Sequence, residues 1–370
     1  MQHNREASLS DGASLAGGVG AWYLGRTLSG PPLKGTGRLF KPLIMKALVG
    51  SGGLRWAAAF RPPAGVILTY HSVRDRVEDG SDWVGPGITH ATSIFTRQME
   101  LVARQFRPVT LDQITAFVRE GTPLPARAVA VTFDDGFLDN VQTALPILQR
   151  LGIAAAFYLM VSQIGQADAP WYCRVRHAFL RTSRKSWTSP GQELAWDLTS
   201  EPARHAAMEV AFGLCARLAG DQQRQTVRVI EDQLGVEPVL PPHRVMMNWE
   251  EAQSLRRAGH IVGSHTLTHP NVAHVGSDAE LRTEIVDSKR AMEERMGEPV
   301  THFSYPHPAL HPQWTEKTLS ATRDAGYTTA VTTTKGPNRV GQNPLLLKRI
   351  NCPRPEHEFL WNLNRAFLKP

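Results

Sequence analysis

Ala128-Val-Ala-Val-Thr-Phe-Asp-Asp-Gly136 runs from six apolar or β-branched residues straight into two carboxylates and a glycine. A short run with no polar alternation reads as a strand buried on both faces, as strands of a parallel sheet are. Asp134 and Asp135 then emerge at its carboxyl end. Successive side chains in a strand or tight turn point different ways, so one carboxylate can bind a cation while its neighbour faces a substrate. Gly136 permits the sharp turn that must follow.

Outward from this strand, strand-like and helix-like segments alternate. Residues 94–106 place Phe95, Met99, Val102 and Phe106 on one helical stripe, 140–151 predict a second helix stopped by Gly152, and 153–160 predict a strand. Ser277-Asp-Ala-Glu280 opens a helix through Met296 with a capping-box pattern, and 300–305 and 328–333 supply later strands. Such alternation predicts an α/β fold, a parallel sheet with covering helices. Residues 168–247 interrupt the rhythm with an insertion that turns helical from about Pro202 to Leu234. Lying between the third strand and the next chemical cluster, it could form a lid or a substrate wall. Trp171, Tyr172 and Trp249 could offer stacking faces to a substrate there, with buried packing as the competing fate.

That next cluster is His265-Thr-Leu-Thr-His269, after the strand-like Gly259-His-Ile-Val-Gly-Ser264. Its spacing predicts two imidazoles on one face of a helical turn. Asp-Asp-Gly alone is commonly a turn, and a lone His-x-x-x-His is commonly incidental. Both at strand exits point to a metal site, because two imidazoles and a carboxylate leave the open position that a catalytic zinc needs. All these groups lie at carboxyl ends of strands, where barrel enzymes gather their sites.

Thr132-Phe-Asp-Asp-Gly136 and Ser264-His-Thr-Leu-Thr-His-Pro270 resemble the first two motifs of the polysaccharide deacetylases, the NodB-homology or carbohydrate esterase family 4 proteins. Phe303-Ser-Tyr-Pro306 and Asp324-Ala-Gly-Tyr-Thr-Thr-Ala-Val331 resemble later family segments, so the likeness spans roughly residues 64–350. It implies a distorted (β/α) barrel of seven strands, with a helical insertion and an N-terminal extension. It also implies Asp135, His265 and His269 as ligands of one divalent ion, zinc first and cobalt or nickel as alternatives, and Asp134 as general base. The family's usual C-terminal histidine is missing, since residues 345–352 read Leu-Leu-Leu-Lys-Arg-Ile-Asn-Cys. Leu68-Thr-Tyr-His71 stands upstream instead, which resembles the circularly permuted branch that includes poly-β-1,6-N-acetylglucosamine deacetylases, and His71 becomes the candidate acid.

The third motif departs from the pattern. The arginine expected to orient Asp134 is replaced by His302, and the aromatic after the proline by His307. Arg174, Arg176 and Arg349 are alternative partners for Asp134. The resemblance assigns oxyanion stabilisation to the metal and a backbone amide near Pro306, with Tyr305, His307 and Trp171 as further pocket candidates. The implied activity is hydrolysis of an N-acyl, chiefly N-acetyl, amide on an amino sugar in a polysaccharide or lipid-linked precursor. Deformylation of a formamido sugar, or another N-acyl sugar as substrate, keeps the chemistry. An inactive carbohydrate-binding member of the fold is the rival from another class, and it would need none of this acid-base set.

With 370 residues, 42% of them hydrophobic, the chain can bury one large domain. The expected division is an extension over 1–63, the deacetylase-like domain over 64–352 and a tail over 353–370. A net charge of +7 suits anionic surfaces, but no compact basic block or stacking motif points to nucleic acid. Three widely spaced cysteines give neither a disulfide framework nor a zinc ribbon. The first residues lack the basic start and continuous apolar run of a signal peptide, so the expectation is a cytoplasmic protein. Residues 42–60, apolar with Lys46 and Arg55 interspersed, suit either a peripheral contact with the inner membrane face or packing on the barrel.

Overall fold

Strand β2, Ala128–Phe133, is buried along all six residues and has a parallel partner on each side. The computed structural model describes residues 61–75, 83–307 and 310–369, together with Met45, Ala47 and Gly50. The expected interfacial segment over 42–60 otherwise lies outside the described residues. Among the described residues no helix is long and apolar enough to cross a membrane.

The other main strands are β1 (Gly65–Tyr70), β3 (Ala155–Leu159), β4 (Ile261–Ser264), β5 (His302–Ser304), β6 (Thr329–Val331) and β7 (Ile350–Asn351). They run in the order β7-β1-β2-β3-β4-β5-β6, and every neighbouring pair is parallel. The two edges then meet. Leu347 bonds β6 on one side, donating to Ala330 at 2.9 Å and accepting from Thr332 at 2.8 Å, and three residues later Ile350 pairs with Leu68 of β1. The seven-stranded distorted barrel is therefore present.

Alternation along the strands explains its packing. Val129, Val131 and Phe133 join the core under the outer helices, whereas Ala128 and Ala130 face a second cluster with Ala156 and Tyr158 inside the barrel. The same inner cluster holds Ile67, Ile261, Val331 and Leu347, so the alanines leave room for these larger side chains and for Tyr158. Helix Leu111–Glu120 closes the floor, opened by a Thr110–Gln113 capping box. Its Thr115 hydroxyl meets Thr329 at 3.0 Å, and its Asp112 meets His302 at 2.9 Å. His302 is thus a floor residue, remote from the carboxyl ends.

Two of the expected helices contain a π turn. Asn140–Ala144 leads into Leu145–Arg150, and Thr283–Asp287 lies between Asp278–Arg282 and Ser288–Met296. The extra residue rotates one polar side chain out of register in each case, toward a loop at the strand ends. The segment expected as a tail is a helix, Glu356–Leu368, whose Phe359, Leu363 and Phe367 join the outer core.

The insertion has its own core. Helices Trp171–Arg181, Glu201–Cys215 and Gly220–Leu234 pack with the hairpin Ser186–Thr188/Ala195–Asp197 around Phe179, Trp187, Phe212 and Ile230. The helical stretch expected from about Pro202 to Leu234 is present as two helices, separated at 216–219.

Candidate active site

Asp134 leaves β2 with its backbone N–H bonded to Tyr70 O at 3.0 Å, which holds the exits of β1 and β2 level. Asp135 follows at φ 78° and Gly136 at φ 86°, so the chain reverses and the two carboxylates part company. The φ of Gly136 favours glycine, and a Cβ there would press the Ile164 and Leu159 side-chain tips at 3.0 Å.

His265 is fixed at the exit of β4 by its backbone N–H to Leu159 O at 2.8 Å. The 265–269 segment is a loop, correcting the helical turn expected from its spacing. Thr266 and His269 both have positive φ, 67° and 63°. Glu284, turned inward by the second π turn, organises this loop by accepting from the amides of Leu267 at 2.9 Å and Thr268 at 2.8 Å, and from the Thr268 hydroxyl.

The loop brings three donors together. Asp135 Oδ1 lies 3.5 Å from His265 Nε2 and 3.4 Å from His269 Nε2, all three side chains being buried. Zinc bonds of about 2.0–2.1 Å in a tetrahedral site put neighbouring donors roughly 3.3–3.4 Å apart, so the set fits one ion. Asp135 Oδ1 has no hydrogen-bond partner, a costly state for a buried acceptor unless a cation meets it. His265 Nδ1 lies 2.8 Å from Ser304 O, which fixes the tautomer with Nε2 free to ligate. Burial, then the charge of Asp134, pushes the Asp135 carboxyl up to about 7. Burial lowers both imidazoles, so the nitrogens are available as ligands.

Of the three arginines that could steady Asp134, the structure brings Arg349 to it. Nη1 and Nη2 reach the two carboxylate oxygens at 2.7 Å each. The remaining donors go to Thr332 O, Thr132 Oγ1 and Ser304 Oγ, so all five guanidinium N–H groups are used. Burial alone would raise Asp134, but the Arg349 and His265 charges and the Arg349 hydrogen bonds outweigh it and hold the carboxyl well below the usual range. Arg174 instead pairs with Asp168 and Glu231 in the insertion.

His71 follows β1 directly, and its carbonyl accepts from Asn140 Nδ2, the residue displaced by the first π turn, at 2.6 Å. Asp139 secures the next residues, accepting from the Ser72 hydroxyl at 2.6 Å and the Val73 amide at 3.0 Å. His71 lines one cleft with Asp134, His265, His269, Tyr305 and His307. Burial pushes its imidazole down to about 4, against the opposing pull of Asp134.

The Tyr305 amide donates to Val331 O at 3.1 Å and Pro306 has no N–H, so the next amide along is that of His307. The His307 ring lies 3.3 Å from His311 through Nε2 and Nδ1, at the cleft rim. Trp171 is packed in the insertion core, and its indole N–H donates to His269 O at 3.2 Å, so it faces protein and not the open cleft. Tyr172, which its sequence context presents as a stacking surface, donates its hydroxyl to Asp135 Oδ2 at 2.8 Å.

A family model described as polysaccharide deacetylase matches residues 121–203 and 215–330. The poly-β-1,6-N-acetyl-D-glucosamine N-deacetylase of Escherichia coli K12 is 27% identical over 147 residues, which are 40% of this chain and 20% of that protein. The match thus spans about a fifth of that relative's length. Among solved structures, the Streptococcus pyogenes deacetylase PplD in complex with acetate aligns with a TM-score of 0.54 and 16% identity, over 84% of this chain and 100% of the other. IcaB from Ammonifex degensii aligns with a TM-score of 0.51 and 17% identity, over 83% and 99%. At these identities the two alignments speak for the fold.

Proposed function

Because the chain belongs to the polysaccharide deacetylase family, we propose that it hydrolyses the N-acetyl amide of an amino sugar within a polysaccharide or a lipid-linked glycan precursor. The observation that carries this reading is the division of labour between adjacent carboxylates. Asp134 is bonded at both oxygens to Arg349, while Asp135 turns one oxygen to two imidazoles.

A divalent ion on Asp135, His265 and His269 would polarise the amide carbonyl and lower the pKa of water from 15.7 towards about 7. The donor set suits zinc first, with cobalt and nickel also compatible. Asp134, kept ionised by Arg349, takes the proton of the attacking water. His71 delivers a proton to the departing nitrogen. Since burial leaves the resting imidazole neutral at pH 7, that proton comes from the one Asp134 has taken, passed within the pair. The balance closes with a single proton: amide and water give an amine and a carboxylic acid. In this reading the His307 amide beside Pro306 would donate to the carbonyl oxygen as negative charge develops there.

Two relatives lend support in their own names, one a deacetylase of poly-β-1,6-N-acetyl-D-glucosamine and one a deacetylase solved with acetate. The test is acetate release from N-acetylglucosamine oligomers by the zinc-, cobalt- or nickel-loaded protein, with loss on chelation and on Asp134→Asn. No release from any N-acyl sugar with any of these ions defeats the proposal.

A further inference from the structure

The insertion's first helix, Trp171–Arg181, contributes two side chains to the metal centre. We infer that Tyr172 and Trp171 are positioning residues that set the affinity and coordination of the bound ion. This rests on the reading of Asp135, His265 and His269 as its ligands.

Asp135 offers two oxygens, and the structure divides them. Oδ1 faces His265 Nε2 and His269 Nε2, while Oδ2 accepts the Tyr172 hydroxyl at 2.8 Å. A carboxylate engaged in this way presents one oxygen to an ion, so a coordination position stays open for water and substrate. Without the hydroxyl, the carboxylate can turn to offer both oxygens or lose its aim.

Trp171 acts on a second ligand. Its indole N–H reaches the carbonyl of His269, a residue held at φ 63°, where a side chain is strained unless its surroundings define it. The Tyr172 ring also packs on the His269 ring, with centroids 5.4 Å apart. Both aromatics are themselves held in the insertion core, at 6% and 2% exposure, edge to face with each other, and Trp171 also packs on Phe212.

The rest of the insertion grips the same loop. Gly220 N–H donates to Thr268 Oγ1 at 3.2 Å, and Asn271 N–H donates to Ala216 O at 2.8 Å. Through these bonds the insertion is the outer support of the ligand set, which goes beyond the lid or wall its position in the sequence suggests. Groups that orient ligands in this way typically change metal affinity about 10–100-fold when removed.

The experiment titrates cobalt(II) into the chelator-treated full chain, reading Kd by competition with a chromophoric chelator and coordination from the visible spectrum. Tyr172→Phe is expected to weaken binding by about 10- to 100-fold and to change the intensity of the cobalt bands. Trp171→Phe keeps a ring, loses the N–H, and is expected to weaken binding by less. A purely structural role would lower the melting temperature of both variants and leave Kd and spectrum at wild-type values, which overturns the inference while sparing the ligand reading. Should Tyr172→Phe fail to fold, Trp171→Phe decides by the same two readouts. A wild-type chain that binds neither cobalt nor zinc overturns both.

Discussion

Arg349 holds both oxygens of Asp134 at 2.7 Å, and neither side chain is more than 4% exposed. Breaking a buried pair by removing one partner typically costs about 3–5 kcal/mol, because the other charge is stranded. Arg349→Met should therefore lose roughly that much stability at pH 7, measured by urea unfolding, together with activity. The sign of the pH dependence follows from Asp134. Its folded pKa is depressed, so its stabilisation is complete above its unfolded value of about 3.9 and is lost as the pH falls further. The deficit of Arg349→Met should accordingly be largest near neutrality and shrink below about pH 4. A deficit independent of pH would mean that packing, not charge pairing, fixes Arg349.

His71 tests the proton path. A positioned acid contributes about 10²–10⁴-fold, so His71→Asn should lower kcat by that order. Metal content should stay at the wild-type level, because His71 stands outside the Asp135, His265 and His269 cluster. Elemental analysis beside the kinetics separates the two effects. A variant with near-wild-type kcat would remove His71 from the mechanism.

Asp135, as the proposed ligand, predicts how the ion and protons compete. In the metal-free chain burial and Asp134 raise its carboxyl to about 7. A raised acid keeps its proton below that value, so zinc must displace a proton there and binds free carboxylate above it. Zinc Kd should fall about tenfold per unit as pH rises towards 7 and then level off, as competition titrations at several pH values can show. The same shift makes the metal-free fold less stable as pH rises from about 4 through 7, a loss that zinc should reverse. Flat affinity across this range would count against Asp135 as a ligand.

The residues legible in the sequence are those that follow a short apolar strand. Asp134, Asp135, His71 and His265 each sit within two residues of a strand end. Arg349 could be named only as one of three candidates, since β7 is beside β1 by closure of the barrel and nothing local marks that neighbour. For Tyr172 the sequence shows only an aromatic ring, because its hydroxyl's partner, Asp135, belongs to a different element. The His265–His269 spacing is helical, but Glu284 supplies the loop amides with the acceptor a helix would otherwise provide. Glu284 and Asn140 themselves depend on π turns, and one added residue does not disturb a 3.6-residue stripe enough to be seen.

Gly263, in the middle of β4, shows how tightly the bore and the site are coupled. A Cβ there would lie 2.7 Å from His302 O and 2.8 Å from the Tyr158 ring. The carbonyl belongs to β5, where Phe303 pairs with Ser264, so it cannot retreat without opening β4 from β5. That seam also carries the Ser304 carbonyl that orients His265. Overpacking typically costs about 1–3 kcal/mol, so Gly263→Ala should lower stability by at least that order. It should weaken zinc binding at the same time. Gly213 is the control, a glycine inside helix Glu201–Cys215 whose added Cβ would meet only Leu310, at 4.0 Å. Gly213→Ala should stabilise by about 0.5–1 kcal/mol and leave zinc affinity alone. If the bore is packed as described, thermal unfolding shifts in opposite directions in the two variants, and zinc titration changes for Gly263→Ala alone. Equal, small effects would mean that β4 and β5 can part without cost.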